Sequence, residues 1–120
     1  MRIQTSITPD QLTPKIDILI DLATQKSLST HQRWDYADGS PVITVNGQYE
    51  SRSWTDWTRG FFIGQLLLLF ELTQNEILLN LGVERTLNWM TSHISHIGVH
   101  DHGFNILSTY GNLRRLISQE

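Results

Sequence analysis

The stretch GVHDHGF, residues 98–104, sets one carboxylate, Asp101, between two imidazoles, His100 and His102, with glycine on either side. A carboxyl group beside an imidazole can work as an acid or base, because the ring orients it and tunes its proton affinity. An aspartate is also what a helix N-terminus selects, since it caps the first turn and meets the positive end of the helix dipole. Metal ligation is a third use of these groups, because His93, His96, His100 and His102 fall within ten positions. That spacing matches no recognised ligand set and no second carboxylate stands close by in sequence, so the expectation is that no metal is held.

A second cluster, SWTDWTRGFF, spans residues 53–62. Trp54 and Trp57 flank Asp56, and Arg59 follows two positions later. A tryptophan stacks on the apolar face of a pyranose while a carboxylate accepts from its hydroxyls, so this pattern suits a sugar. The bland alternative makes both tryptophans core anchors and Asp56 a helix cap. Arg59 suits a substrate carboxylate, or else is a solvated surface charge. The loop RWDYADGSP, residues 33–41, adds Trp34, Asp35, Tyr36 and Asp38 in a turn-rich setting.

Helices must position these groups. Thr8-Pro9 and Thr13-Pro14 are two start signals, each with a capping threonine and a proline at the first helical position. Ile16, Leu19, Ile20 and Ala23 then recur at helical spacing, so a helix to about residue 28 is expected. Residues 31–55 break the pattern and are expected to form a long ordered loop. Within it Asn46-Gly47 makes a small hairpin the alternative. A second helix, 59–72, is apolar around most of its circumference, as buried helices are. Thr58 is its candidate cap. Thr73-Gln74-Asn75-Glu76 has the form of a capping box, with Thr73 at the cap, and opens a third helix through about residue 95. A fourth is expected over 103–118. The fold class is therefore all-α, built of helical hairpins.

Bulk composition narrows the partners. The 120 residues make one small domain and carry a net charge of -3, nine basic against twelve acidic side chains. Without a basic patch, no nucleic-acid partner is expected. The most apolar run, FFIGQLLLLF, is about half a membrane span, so no membrane partner is expected either. The chain lacks cysteine, which removes disulfides and thiolate sites. No apolar block of a secretory signal opens it, so the expected placement is cytoplasmic as written, or periplasmic if the N-terminus differs.

Taken together, WTDWTRGFFIGQLLLLFELTQNE followed by HDHGF resembles the early region of glycoside hydrolase family 88, the unsaturated glucuronyl hydrolases and their relatives. Asp56, Trp57, Thr58, Gly60, Phe61 and Gly64 match its first motif. Phe70, Glu71 and Thr73 match the second, and His100, Asp101, Gly103 and Phe104 the third. The resemblance covers about residues 34–116. It implies the first third of an (α/α)6 toroid, with the chain as a single incomplete domain of that kind. It also implies hydration of the enol-ether bond of an unsaturated uronic acid at the end of an oligosaccharide, without a cofactor. Asp101 then corresponds to the first of two essential aspartates. Trp57 and His100 line the sugar subsite, with Asp56, Trp54, Arg59 and His102 as further candidate substrate contacts. The second aspartate of the family has no counterpart in this chain. The 120 residues alone are therefore expected to be inactive, and to associate with themselves or with a further C-terminal portion. The alternative is a non-catalytic helical interaction module that keeps the ancestral residues.

Overall fold

The computed structural model describes residues 6–118. Helix α1 is Pro9–Arg33, a turn longer than its periodicity suggests. Pro9 stands at its first position, where a missing N–H costs nothing, and the Thr8 amide donates to Gln11 Oε1 at 3.0 Å. The second proline signal, Pro14, falls inside the helix. Only the C-terminal half of α1 meets the body, where Ser27 and His31 are buried.

The expected long loop at 31–55 is instead ordered into strands, which corrects the all-α expectation. Strand β1, Ser40–Val45, pairs antiparallel with β2, Gln48–Arg52, after a single turn of 3-10 helix at Tyr36–Asp38. Asn46 and Gly47 both take positive φ, 50° and 77°, the conformation that a two-residue hairpin turn requires. The β-branched run Val42 to Thr44 and Tyr49 opposite Thr44 supply strand preference on both arms. The rest of the molecule is mostly helical, and no helix among the described residues is long and apolar enough to cross a membrane.

Helices α2, Thr58–Thr73, and α3, Glu76–Trp89, form a tight antiparallel pair. Its joint differs from the expected capping box. Gln74 turns left-handed, with φ 55°, and closes α2, while Asn75 caps α3 by accepting from the Ile77 amide at 3.0 Å. Thr73 still belongs to α2, its hydroxyl donating to the Leu69 carbonyl at 2.7 Å. Helix α3 stops short of residue 95, and a 3-10 turn, Thr91–Ile94, follows it. Leu66, Leu69 and Leu78 form one core cluster, while Ile63, Met90 and Tyr36 form another.

The last expected helix is interrupted. Helix α4, His102–Ile106, passes through a π-helical turn, Leu107–Gly111, into α5, Asn112–Ile117. This segment lies against α2 at a separation set by two glycines. A Cβ on Gly60 would sit 2.4 Å from the Asn105 Cα, and one on Gly64 would sit 2.1 Å from the Ser108 carbonyl oxygen. Asn105, fully buried, joins the helices by accepting from the Gly60 amide at 2.7 Å. That amide belongs to the first turn of α2, where no intrahelical acceptor exists, so α4 caps α2.

Gly60→Ala and Gly64→Ala should each destabilise the chain by about 3 kcal/mol, since the obstructing atoms are backbone and cannot step aside. Gly103→Ala, which meets nothing within 4 Å, should stay within about 1 kcal/mol of the natural chain or exceed it. Urea unfolding of the three variants measures the contrast.

Candidate functional site

Closing α4 onto α2 brings the two sequence clusters into one place. Trp57 precedes α2, Phe61 lies in its first turn, and Phe104 lies in α4. Their ring centroids form a near-equilateral triangle with sides of 5.7, 5.8 and 5.8 Å. All three rings are exposed, Trp57 by 47%. Beside them is an open cavity of 460 Å³ lined by Phe61, His100, Gly103, Phe104, Leu107 and Ser108. His100 connects it to the acid, its Nε2 lying 3.3 Å from Asp101 Oδ1. Asp101 stands at the N-terminus of α4 but makes no side-chain cap bond, so its carboxylate keeps its remaining acceptor capacity.

The other candidates are placed differently. Asp56 serves α2, because its Oδ1 accepts from the Thr58 amide at 2.9 Å and from the Thr58 hydroxyl at 2.5 Å. Asp56 thus takes the helix-cap role that the sequence offered as its alternative, in place of Thr58. Trp54 parts from Trp57 and packs edge-on against His93 and His96, with centroids 5.2 and 5.0 Å away. Arg59 is 3% exposed, neither a surface charge nor open to the cleft. Its Nη2 donates to the Tyr36 carbonyl at 3.4 Å and its Cζ lies 5.8 Å from the Trp89 ring. Its Nε and Nη1 are enclosed with no hydrogen-bond partner among the described residues.

His102 turns away from Asp101 into a chain of imidazoles. Its Nδ1 lies 3.3 Å from His93 Nδ1 and its Nε2 lies 2.8 Å from His96 Nδ1. Each contact places one proton between two nitrogens, so the three rings share a directional hydrogen-bonded path. Because His102 spends both nitrogens on different partners, the lone pairs do not converge on one point. Among the described residues no three such side chains form a metal cage. Burial holds His93 well below the ordinary range, at about 4, and the facing His102 and Arg59 depress it further while the Trp54 carbonyl opposes them.

Sequence reasoning missed the polar centre beneath the site. His31 on α1 is buried between the Phe62 ring, stacked 4.1 Å away, and Tyr36. The Phe62 carbonyl can only accept, so His31 Nε2 donates to it at 3.0 Å and Nδ1 accepts from the Tyr36 hydroxyl. Burial lowers His31 to about 4 and raises the Tyr36 phenol. The Arg85 guanidinium lies 4.4 Å from the Tyr36 ring centroid and favours the neutral imidazole. The mixture of Trp34, Tyr36 and Arg33 in the upstream loop was the available signal, but nothing local pairs Tyr36 with a histidine five residues earlier.

Both buried histidines fold as neutral rings, near 4 against an ordinary 6.5. The unfolded chain therefore binds more protons between those values, and stability is lost as pH falls from about 6.5 to 4. His31→Gln and His93→Gln should each cost stability at pH 7 and lose that deficit on acidification. Equal deficits at pH 7 and pH 4.5 in urea titrations would contradict the neutral-ring assignment.

No family model, no curated protein and no solved structure matches the chain, so the site stands on its own chemistry.

Proposed function

We propose that the chain is the sugar-facing portion of a family 88-like glycoside hydrolase, an incomplete (α/α)6 toroid acting on oligosaccharides that end in an unsaturated uronic acid. The observation that carries this reading is the Trp57–Phe61–Phe104 triangle beside the His100–Asp101 pair. An exposed indole offers the flat apolar platform on which a pyranose ring stacks, and the phenylalanines hold it upright. Asp101 and His100 stand at the edge, where a sugar on Trp57 would present its hydroxyls and reacting end. In this role Asp101 accepts from the substrate and helps to set the protonation of a partner acid.

The hydration needs a proton donor for the double bond and a base for the attacking water. Asp101 is one such group. Asp56, the other carboxylate in the two clusters, has an oxygen committed to the first turn of α2. The chain alone is accordingly read as a binding half-site without turnover. The second reading, a non-catalytic helical interaction module, draws support from exposed apolar side chains away from the cleft, such as Ile97 and Ile77.

Titration with an unsaturated glucuronyl disaccharide, followed by the Trp57 indole and Phe104 amide resonances, tests the proposal. Perturbation of both is expected, with about tenfold weaker binding in Trp57→Ala, equivalent to roughly 1.4 kcal/mol. The enol-ether absorbance should persist. Unchanged spectra, or equal binding by Trp57→Ala, would remove the sugar reading. Turnover abolished in Asp101→Asn would instead overturn the half-site.

A further inference from the structure

Between the C-terminal half of α1 and the hairpin runs a groove that takes no part in the aromatic cleft. It has three adjoining compartments of 440, 480 and 180 Å³, and Thr30 and Tyr49 line all of them. Arg33 lines the first two and Lys26 the last two, so both cations border the middle one. Lys26 and Arg33 are seven residues apart on one face of α1, about 10 Å along its axis, with Thr30 between them.

The lining is selective in its chemistry. No carboxylate lines any of the compartments, although acidic side chains outnumber basic ones in the chain, twelve to nine. Among the described residues neither cation is paired with an acid. The Nε of Arg33 donates to the Ser29 carbonyl at 3.1 Å, which steadies the side chain and leaves its terminal nitrogens for an anion. Tyr49 forms the opposite wall. It is 59% exposed, and Trp34 meets it edge-on with ring centroids 6.5 Å apart. Trp34 is itself fixed, its Nε1 donating to the Gly39 carbonyl at 3.1 Å. Ser27 lines the smallest compartment, only 5% exposed and with no hydrogen bond to its hydroxyl among the described residues. A hydroxyl so enclosed ordinarily has a partner, and the groove is where one can stand.

We propose that this groove binds a phosphate monoester carried on a ring. The phosphate sits over Thr30, reached from either side by the long side chains of Lys26 and Arg33, while the ring lies against Tyr49 and a ligand hydroxyl meets Ser27. Two cations converging on one hydroxyl-lined space suit a dianion, and the guanidinium fork adds a two-pronged contact. Sugar phosphates and nucleoside monophosphates share this chemistry. The groove has no residue in common with the Trp57–Asp101 cleft and is independent of the sugar reading.

Amide NMR titrations of the chain with glucose 6-phosphate, adenosine monophosphate and inorganic phosphate test the assignment. At least one ester should shift the Thr30, Gln48 and Tyr49 amides with a Kd below about 1 mM, and the tighter of the two identifies the source of the phosphate. Lys26→Gln and Arg33→Gln should each weaken that ester about tenfold, and added salt should weaken it further. Tyr49→Ala should weaken the ester by a similar factor and leave inorganic phosphate unchanged. The three replaced side chains are exposed, so the variants should keep the circular dichroism of the natural chain. Unshifted groove amides with both esters at about 10 mM, or an affinity unaltered in Arg33→Gln, would overturn the site. Inorganic phosphate binding as tightly as either ester would remove the ring from the proposal.

Discussion

Everything near the candidate site depends on one close approach, that of α2 to α4 across Gly60 and Gly64. Without side chains at those positions the two backbones come near enough for Asn105 to take a free amide of α2's first turn. The same side chain also donates to the Asp56 carbonyl at 3.4 Å, tying in the segment that carries Trp57. One buried amide thus holds the start of both helices. Because its hydrogen bonds are made in a dry setting, losing either side would strand polar groups at a cost of about 1–3 kcal/mol. The aromatic triangle on the surface follows from this crossing, since Phe61 and Phe104 flank the residues that meet.

Beneath that crossing the molecule buries several ionisable side chains. His31, Tyr36, Arg59 and His93 are all enclosed. The two histidines are tolerated because they stay neutral, and each finds a neighbour for at least one nitrogen. Arg59 is tolerated differently. It lies against the Trp89 ring, whose face attracts a cation without requiring a carboxylate, while the part-exposed Arg85 lies over the Tyr36 ring and also donates to Glu84 Oε1 at 3.2 Å. This arrangement fixes Tyr36 and the loop behind it, and so couples α1 to the platform on which α2 begins.

Sequence patterns carried the helices well where periodicity was strong: α2 is close to its expected span, while α3 starts near where expected but ends at Trp89, short of residue 95. They carried the hairpin less well. Its Asn-Gly turn was visible, but an isolated two-stranded ribbon has no buried face to impose alternation, and β2 is exposed along its whole length. Joint details also escaped: threonine and asparagine both cap helices, and only the left-handed Gln74 decides between Thr73 and Asn75. At the candidate site, Trp57 meets Phe104 and His100 meets Asp101, whereas Trp54 and His102 turn to the imidazoles and Arg59 turns inward. Those departures arise from contacts distant in sequence, of His93 and His96 with Trp54 and His102 and of Arg59 with Tyr36 and Trp89, which no local pattern encodes. Gly60 and Gly64 were legible as motif matches, yet their four-residue spacing as a packing seam needs the partner helix to be seen.

The π-helical turn at Leu107–Gly111 has a consequence for phase. In an ordinary α-helix a residue four places onward has rotated about 40° beyond a full turn, so every fourth side chain drifts off a straight line. Here Asn105, Thr109 and Leu113 are all buried at intervals of four. The wider turn takes back the excess rotation. It acts as a vernier between two helices, keeping an asparagine, a threonine and a leucine in a single file along α2. The four-residue cadence of the glycines on α2 is thereby answered by the same cadence on the strand of helix facing them.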